Sequence, residues 1–204
     1  MPSIYGLKTK FQGFLRPATN ALAHAGMTAN QVTVSAMVLS FAAGFAVLHF
    51  RSMRVLLLLP AALFLRMALN AIDGMLAREH NQKSALGAVL NELGDVFSDT
   101  ALYLPLAIIL PFDSALMVLI VLLAVVSEMT GVVAVQIGAS RRYDGPMGKS
   151  DRAFVFGTLG LLLGLQLPIF RVVIPVQWMV LVLLLVTIVN RARGALREIR
   201  GRTS

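Results

Sequence analysis

The chain has 204 residues, of which 57% are hydrophobic and 14% are charged, with a net charge of +8 and no cysteine. Soluble domains carry roughly 25% charged residues, so this composition excludes an ordinary soluble protein, and the lack of cysteine excludes disulfides and thiol chemistry. The basic residues are spread over the ends of apolar segments without forming a basic domain, which argues against nucleic-acid binding. The sequence therefore predicts an integral membrane protein.

The first predicted element is an amphipathic helix within residues 1–27. Apolar side chains recur there at helical spacing, at Ile4, Leu7, Phe11, Phe14 and Leu15. We expect this helix to lie in the membrane interface, and an ordinary leader helix is the alternative. The segment Thr28-Ala29-Asn30-Gln31 has the form of a capping box before an apolar run, which predicts that the first membrane helix begins there.

Six membrane-spanning helices are predicted after this point. Their apolar runs approach the roughly 20 residues that a helix needs to cross hydrocarbon. They lie near residues 30–50, 55–78, 85–112, 114–139, 153–170 and 173–192. An even number of spans places both termini on one side. With that side in the cytoplasm, most basic residues fall inside and the outer loops hold only Arg51, Arg54 and Arg171, as the positive-inside rule requires.

The predicted fold class is therefore an all-α integral membrane protein with a single domain over residues 1–204. In this interpretation the interfacial helix covers residues 1–27, a six-helix bundle covers 28–192 and a basic tail covers 193–204. We expect the protein in the bacterial inner membrane, with both termini in the cytoplasm.

Polar side chains follow one face of two predicted spans. Spacings of three or four residues place them on one side of each helix, at Arg66, Asn70, Asp73 and Ala77 on the second span and at Gly87, Asn91, Asp95 and Asp99 on the third. An ionised side chain at mid-bilayer costs roughly 2.5–3.5 kcal/mol, so these residues indicate a functional site. Oxygen-rich groups that converge from two helices suit a hard cation such as Mg²⁺ or Mn²⁺.

A purely structural role for these side chains is the alternative. Arg66 would then neutralise Asp73, and the other polar groups would only hold the two helices together. This alternative leaves Asp95 and Asp99 without an evident basic partner in the sequence, and it does not explain the glycines nearby. Because glycine lets a backbone or a ligand approach closely, we favour a binding site.

The pattern Asn70-x2-Asp73-Gly74-x2-Ala77-Arg78-x8-Gly87-x3-Asn91-x3-Asp95 resembles the signature of the CDP-alcohol phosphotransferases, which is Asp-x2-Asp-Gly-x2-Ala-Arg-x8-Gly-x3-Asp-x3-Asp. Every spacing in this stretch of 26 residues matches. A looser resemblance extends from TANQVT at residues 28–33 to GKSDR at residues 148–152. The resemblance thus covers well over half of the chain.

This resemblance implies an enzyme of phospholipid biosynthesis. Such an enzyme transfers a substituted phosphate from a CDP-linked alcohol, often CDP-diacylglycerol, to an acceptor hydroxyl and releases CMP. The resemblance implies a general-base role for Asp95, and ligands for Mg²⁺ or Mn²⁺ at Asn70, Asp73, Asn91 and Asp95. The nucleotide-binding positions that it implies are Asn30, Thr33, Gly74, Arg78 and Gly87. It also implies a homodimer.

Two of the four signature aspartates are replaced in this chain, by Asn70 and Asn91. An asparagine carbonyl can ligate a hard cation but carries no charge, which weakens the binding of a second metal. Three hypotheses stay open: the enzyme works with asparagine ligands, Asp99 or Glu92 supplies the missing charge, or the protein is catalytically impaired and only binds CDP-lipid. We favour a working enzyme because the rest of the signature is kept in register.

An acceptor-binding region is predicted from the loop RRYDGPMGKSDR, residues 141–152. Its basic side chains would bind an acceptor phosphate or headgroup at Arg141, Lys149 and Arg152, and a merely positive cytoplasmic loop is the alternative. Glu128, in the fourth span, is either a pocket residue or a polar helix-packing group. A cation transporter is the alternative from another functional class, but the repeated halves or broken helices typical of transporters are not found in the sequence.

Overall fold

A computed structural model of the protein describes the backbone of residues 4–203 and the side chains of residues 11–202. In that range the chain forms seven α-helices and two short 3₁₀ segments, Met53–Leu57 and Leu104–Ile108. The α-helices are α1, Ile4–His24; α2, Ala29–Phe50; α3, Leu58–Glu79; α4, Ala85–Tyr103; α5, Ser114–Gln136; α6, Lys149–Gly164; and α7, Phe170–Thr203. No strand occurs among the described residues, so the predicted all-α class is confirmed.

Four of the described helical stretches are long and apolar enough to cross a membrane, by length and composition. They are Ala29–Phe50, Met53–Glu79, Ser114–Gln136 and Phe170–Arg202. α4 differs because its 19 residues carry three acidic side chains, and α6 differs because it has only 16 residues. Each predicted span thus overlaps a helix, and the two further crossings remain a prediction.

The capping box at the start of α2 is confirmed. The backbone N–H of Thr28 donates to Oε1 of Gln31 at 2.8 Å, and the backbone N–H of Gln31 donates to Oγ1 of Thr28 at 3.2 Å. These two bonds satisfy backbone donors that have no partner within the helix. α2 therefore begins where the sequence predicts.

Three helix ends differ from the prediction. α6 ends at Gly164, whereas the sequence predicted its span to continue to residue 170. α4 ends at Tyr103 and continues as a 3₁₀ segment, whereas the sequence predicted helix to residue 112. Pro105 explains the early end, because proline has no N–H and disfavours the α conformation in the residue before it. α7 reaches Thr203 over 34 residues, so residues 193–203 of the predicted tail continue this helix.

Large apolar side chains point outward from the long helices. Phe45 on α2, Leu122 on α5 and Trp178 on α7 are 66%, 55% and 54% exposed. Water-soluble proteins do not expose apolar surface along whole helices, since contiguous patches of that kind drive association. Contact with lipid accounts for these faces and agrees with the composition of the chain.

The described chain forms two compact units. The first contains the residues up to Ala42 together with Ala61–Ser98. Its core joins α1, α2 and α3: Val32, Met75 and Leu76 are buried, and Leu15 and Leu22 of α1 pack against this cluster. The side chains of Ile4 and Leu7 lie outside the described ones, so the interfacial position of the whole amphipathic helix stays a prediction.

The second unit contains Ala43–Pro60 together with the residues from Asp99 onward. α5 and α7 pack along each other there, with Met117, Ile120 and Leu184 fully buried. Asp113 caps α5 by accepting from the backbone N–H of Leu116 at 2.9 Å. The side chain of Gln177 on α7 bonds to both backbone groups of Asp113, at 2.9 and 3.0 Å. These contacts fix the start of α5 against α7.

Within the second unit, the end of α2 touches the backbone of α4. A Cβ atom added to Gly44 would overlap the carbonyl oxygen of Ala101. Small residues allow this close approach between membrane helices, where association depends on van der Waals contact. Gly44 is therefore required by packing.

We expect Gly44→Ala to lower the stability of the protein, because the added methyl group forces two helices apart. Overpacking of this kind costs typically about 1–3 kcal/mol. The matched control is Gly13→Ala on α1, where a Cβ meets nothing within 4 Å. Since alanine is the better helix former, this control should be neutral or stabilising. Thermal unfolding in detergent measures both, and equal losses in the two variants would contradict the packing argument.

Candidate active site

Asp73 on α3 is buried and held by Thr33 on α2. The hydroxyl of Thr33 lies 2.8 Å from Oδ2 of Asp73 and 3.0 Å from the backbone carbonyl of Ala29. Asp73 is only 6% exposed. The structure thus brings together two residues of the predicted site that are forty positions apart in the sequence.

Asp95 on α4 is bound by two residues of α3. Nη2 of Arg66 donates to Oδ1 of Asp95 at 3.1 Å and to the backbone carbonyl of Asp95 at 3.2 Å. Nδ2 of Asn70 donates to the same Oδ1 at 3.2 Å. Two members of the signature, Asn70 and Asp95, are therefore in direct contact, and Arg66 joins them.

The expectation that Asp95 and Asp99 have no basic partner is wrong. Arg66 pairs with Asp95, and in the second unit Arg152 binds Oδ2 of Asp99 through Nη2 at 2.7 Å and Nε at 3.1 Å. The partners lie 29 and 53 residues away in the sequence and on other helices, so spacing along α4 could not reveal them. Because its charge is offset in this way, Asp99 is a poor replacement for a missing metal ligand.

The signature glycines lie against side chains of the predicted nucleotide site. A Cβ on Gly74 would be 3.1 Å from Nη1 of Arg78, whose guanidinium folds back over the glycine. A Cβ on Gly87 would be 2.8 Å from Oδ1 of Asn30 at the start of α2. In the first unit, Gly74 therefore lies against the side chain of Arg78, and Gly87 lies against the side chain of Asn30. An alanine at either position would press on the polar group beside it.

The oxygen donors available for a metal ion are few. Among the described residues, no group of three or more His, Asp or Glu side chains is placed to hold one. Asp73 and Asp95 are the carboxylates of the signature, while Asn91 is exposed on α4 and Asn70 turns its amide nitrogen toward Asp95. Carboxylate and amide oxygens are the chemistry that Mg²⁺ and Mn²⁺ prefer, and this set offers a small number of them.

The predicted acceptor residues lie in the second unit, where two of them meet at Glu128. Glu128 accepts hydrogen bonds from Arg141 at 3.0 Å and from Arg152 at 3.2 Å, and it forms an ion pair with Arg191 at 3.2 Å. Lys149 stands at the start of α6, partly exposed, one turn before Arg152. Glu128 is thus surrounded by guanidinium groups, and its carboxylate is the anion on which they converge.

Arg191 is a further member of this cluster, and the sequence did not predict it as a site residue. Arg191 is 2% exposed, and its Nη1 also donates to the backbone carbonyl of Ser127 at 2.6 Å. The signal that could have found it is Glu128 itself, because a lone acid in an apolar span needs a buried basic partner. Within the described part of the chain, Nε of Arg191 and Oγ of Ser127 are buried without a hydrogen-bond partner.

The loop after α5 is anchored to α7 by a second set of charges. Arg142 forms a two-pronged contact with Asp144, at 2.7 and 2.9 Å, and reaches Glu198 on α7 at 3.1 Å. The hydrogen bonds from Arg142 hold the pKa of Asp144 below its usual value. The basic loop predicted from the sequence is therefore tied down by its own ion pairs.

We expect Glu128→Gln to destabilise the protein strongly, because it removes the anion shared by three arginines. Breaking a buried ion pair costs about 3–5 kcal/mol. Asp144→Asn is the control, since the pair of Asp144 with Arg142 is exposed and contributes about 1 kcal/mol or less. Thermal unfolding in detergent should separate the two variants clearly, and a shift no larger for Glu128→Gln would show that the cluster adds little to stability.

Comparison with known proteins gives a consistent result. The family model described as CDP-alcohol phosphatidyltransferase matches residues 26–190. The inner membrane protein YnbA of Escherichia coli strain K12 is 43% identical over 203 residues, which is 95% of this chain and 96% of that protein. The family model extends over α2 to α6 and α7 as far as residue 190, and so includes Asp73, Asp95 and Glu128.

Solved structures of one Mycobacterium tuberculosis enzyme share the fold. Phosphatidylinositol phosphate synthase PgsA1 with CDP-DAG bound gives a TM-score of 0.74 at 21% identity, covering 88% of this chain and 92% of that chain. The same synthase in complex with manganese and citrate gives 0.73 at 21% identity, covering 88% and 87%. At this identity the similarity shows a shared arrangement of helices.

Proposed function

The chain belongs to the CDP-alcohol phosphatidyltransferase family, and from that membership we propose that it transfers a substituted phosphate from a CDP-linked alcohol to an acceptor hydroxyl, with release of CMP. The donor is CDP-diacylglycerol in this proposal, and the product is a phospholipid. The observation that carries it is the contact between the two ends of the signature, where Asn70 on α3 meets Asp95 on α4. The PgsA1 structure with CDP-DAG supports the choice of donor.

Asp95 is the proposed general base. The acceptor oxygen attacks phosphorus, its proton passes to the carboxylate of Asp95, and the bond between phosphorus and the CMP oxygen breaks. Arg66 and Asn70 orient this carboxylate by two hydrogen bonds, at 3.1 and 3.2 Å. A base must be held within hydrogen-bond reach of the proton that it accepts, and such positioned groups contribute about 10²–10⁴-fold to a rate.

A divalent ion, Mg²⁺ or Mn²⁺, is the proposed cofactor. Asp73 would hold it, together with the carbonyl oxygens available from Asn70 and Asn91, and the ion would neutralise charge on the phosphates. The hydroxyl of Thr33 bonds to Oδ2 of Asp73 at 2.8 Å and so holds this carboxylate in position. The PgsA1 structure with manganese supports this choice of ion. Arg78, exposed beside Gly74, would contact a phosphate of the nucleotide.

For location, we propose the bacterial inner membrane, six crossings and both termini in the cytoplasm. The relative YnbA is named an inner membrane protein, and four described helices are long and apolar enough to span. α4 and α6 supply the other two crossings in this proposal. Their buried carboxylate and guanidinium groups form ion pairs, such as Asp99 with Arg152, which lowers the penalty for placing them in a membrane.

The acceptor is proposed to carry an anionic group bound by Arg141, Lys149 and Arg152. Arg141 and Arg152 already contact Glu128, so an anionic acceptor competes with that carboxylate for both guanidinium groups. A homodimer, implied by the resemblance, is also part of the proposal.

The main test is CMP release by the purified protein with Mg²⁺ or Mn²⁺, CDP-diacylglycerol and a panel of acceptor alcohols. We expect Asp95→Asn to lower the rate by about 10²–10⁴-fold while CDP still binds, because a lost base affects the chemical step most. Asp99→Asn is the matched control, since it also removes a carboxylate that faces a buried arginine. Its rate should fall far less. Unchanged turnover in Asp95→Asn would remove Asp95 from this role.

The same assay distinguishes an impaired member of the family. Replacement of two signature aspartates by Asn70 and Asn91, together with the ion pair at Asp95, favours this second candidate. CDP binding without CMP release for any acceptor in the panel would establish a protein that binds CDP-lipid without turning it over.

We expect Lys149→Ala to raise the KM for an anionic acceptor several-fold and to leave the KM for the CDP-linked donor unchanged. The reason is that a partly exposed ammonium group contributes to the binding of a nearby anion and not to the chemical step. Arg171→Ala removes a basic residue from the start of α7 and serves as the control. Equal effects of Lys149→Ala on both KM values would contradict the assignment.

A further inference from the structure

A cleft of about 590 Å³ lies beside the last turns of α7, within the second unit. α7 lines it with Asn190, Arg193 and Arg197, and the loop after α5 lines it with Arg142 and Asp144. Successive separations of three and four residues place the three α7 side chains on one face of the helix. The volume falls in the range of about 300–1,000 Å³ that small-molecule sites occupy. The cleft is therefore large enough for a polar headgroup.

Gly194 lets the loop lie directly against α7 in this cleft. A Cβ atom added to Gly194 would be 2.8 Å from Nη2 of Arg142. Arg142 donates to Asp144 through Nε and Nη2, at 2.7 and 2.9 Å, and to Glu198 through Nη1, at 3.1 Å. Both carboxylates that line the cleft thus meet the same guanidinium group. The positive charge of Arg142 is therefore offset within the cleft itself.

Arg193 and Arg197 supply the charge that remains. Both residues are exposed, and within the described part of the chain neither forms an ion pair or a side-chain hydrogen bond. Three guanidinium groups and two carboxylates line the cleft, which leaves one positive charge in excess. The planar fork of a guanidinium group matches two oxygens of a phosphate, and such hydrogen bonds are strengthened by charge. The cleft thus presents two unpaired guanidinium groups to an anion.

This cleft is separate from the arginine cluster at Glu128. That cluster uses Arg141, Arg152 and Arg191, and none of these three residues lines the cleft. Arg191 is 2% exposed, whereas the two unpaired arginines of the cleft are exposed on another face of α7. A ligand of the cleft would therefore not take the place of Glu128 among its arginines.

The sequence of α7 indicates the source of such an anion. Residues 172–190 carry no charged side chain, and their length approaches the roughly 20 residues that a helix needs to cross hydrocarbon. The cleft begins at Asn190, where this uncharged run ends. Basic residues that directly follow a membrane span lie near the lipid headgroups and attract anionic lipids. This position favours a headgroup phosphate as the ligand.

We propose that the cleft binds a phosphate ester, supplied by the headgroup of an anionic lipid in the surrounding membrane. Arg193 and Arg197 hold the phosphate oxygens, with the amide of Asn190 beside them as a further hydrogen-bond donor. The lipid is bound and not converted, so the proposal does not depend on the transferase reaction. It gives the end of α7 a lipid-binding role of its own.

The experiment measures lipid binding to the full-length protein in a nonionic detergent by native mass spectrometry. The probes are phosphatidylglycerol and phosphatidylcholine with the same acyl chains, since both carry a phosphate and only the first has a net negative charge. We expect the parent protein to bind phosphatidylglycerol more tightly. Arg193→Gln with Arg197→Gln should raise the Kd for this lipid about 10–30-fold, because each basic group near a headgroup phosphate adds to the affinity.

The matched control is Arg54→Gln with Arg171→Gln. Both residues are exposed and belong to the same unit, and neither lines the cleft. The control loses the same two charges and should keep the Kd of the parent protein. An equal loss of affinity in the control would show attraction by net charge alone and would overturn the proposal. Thermal unfolding checks that both double variants are folded, and no ion pair among the described residues is broken at Arg193 or Arg197.

A third arm separates a lipid from a dissolved phosphate compound. Glycerol 3-phosphate carries the phosphate ester without acyl chains, so we expect it to bind the cleft more weakly than phosphatidylglycerol. Tighter binding of glycerol 3-phosphate, lost in the Arg193→Gln, Arg197→Gln variant, would overturn the lipid as the source and keep the phosphate site. An unchanged Kd for both probes in that variant, or equal binding of the two lipids by the parent protein, would overturn the proposal as a whole.

Discussion

A charged side chain inside an apolar helix bundle must meet an opposite charge, and in this chain that requirement decides which helices touch. In the first unit Arg66 joins α3 to α4 through Asp95. In the second unit Arg152 on α6 meets Asp99 on α4 and Glu128 on α5. Removing one partner of such a pair costs more than the pair gains, because a buried charge is left alone. The polar groups thus add specific contacts between helices to the apolar packing.

Much of the helical architecture could be predicted from the sequence. Runs of apolar residues identified the helices. The reciprocal hydrogen bonds of Thr28 and Gln31 confirm the start of α2, which was predicted from the capping-box pattern of residues 28–31. Such features are local, and local patterns depend on neighbours within one turn. The end of α4 was less predictable, because Pro105 follows an apolar run that continues without interruption.

The partners of the charged residues could not be predicted. Periodicity shows which residues share a face, but it does not show how one helix is rotated toward another. The sequence shows which face of α4 carries Asp95. Its contact with Arg66 depends on how α3 is rotated toward α4. The same holds for Glu128 and Arg191, which lie 63 residues apart. The contacts of the two signature carboxylates were equally beyond periodicity: Thr33 on α2 bonds to Asp73, and Arg66 on α3 bonds to Asp95.

The length of α7 can be compared with the thickness of a membrane. With 34 residues and a rise of about 1.5 Å per residue, it is roughly 50 Å long, which exceeds the hydrocarbon thickness of about 30 Å. Arg191 lies 21 residues after Phe170, or about 30 Å along the axis. When the helix enters hydrocarbon near Phe170, Arg191 and the carboxylate of Glu128 reach the opposite border of the apolar layer. The last turns of α7 then extend beyond an apolar layer of that thickness.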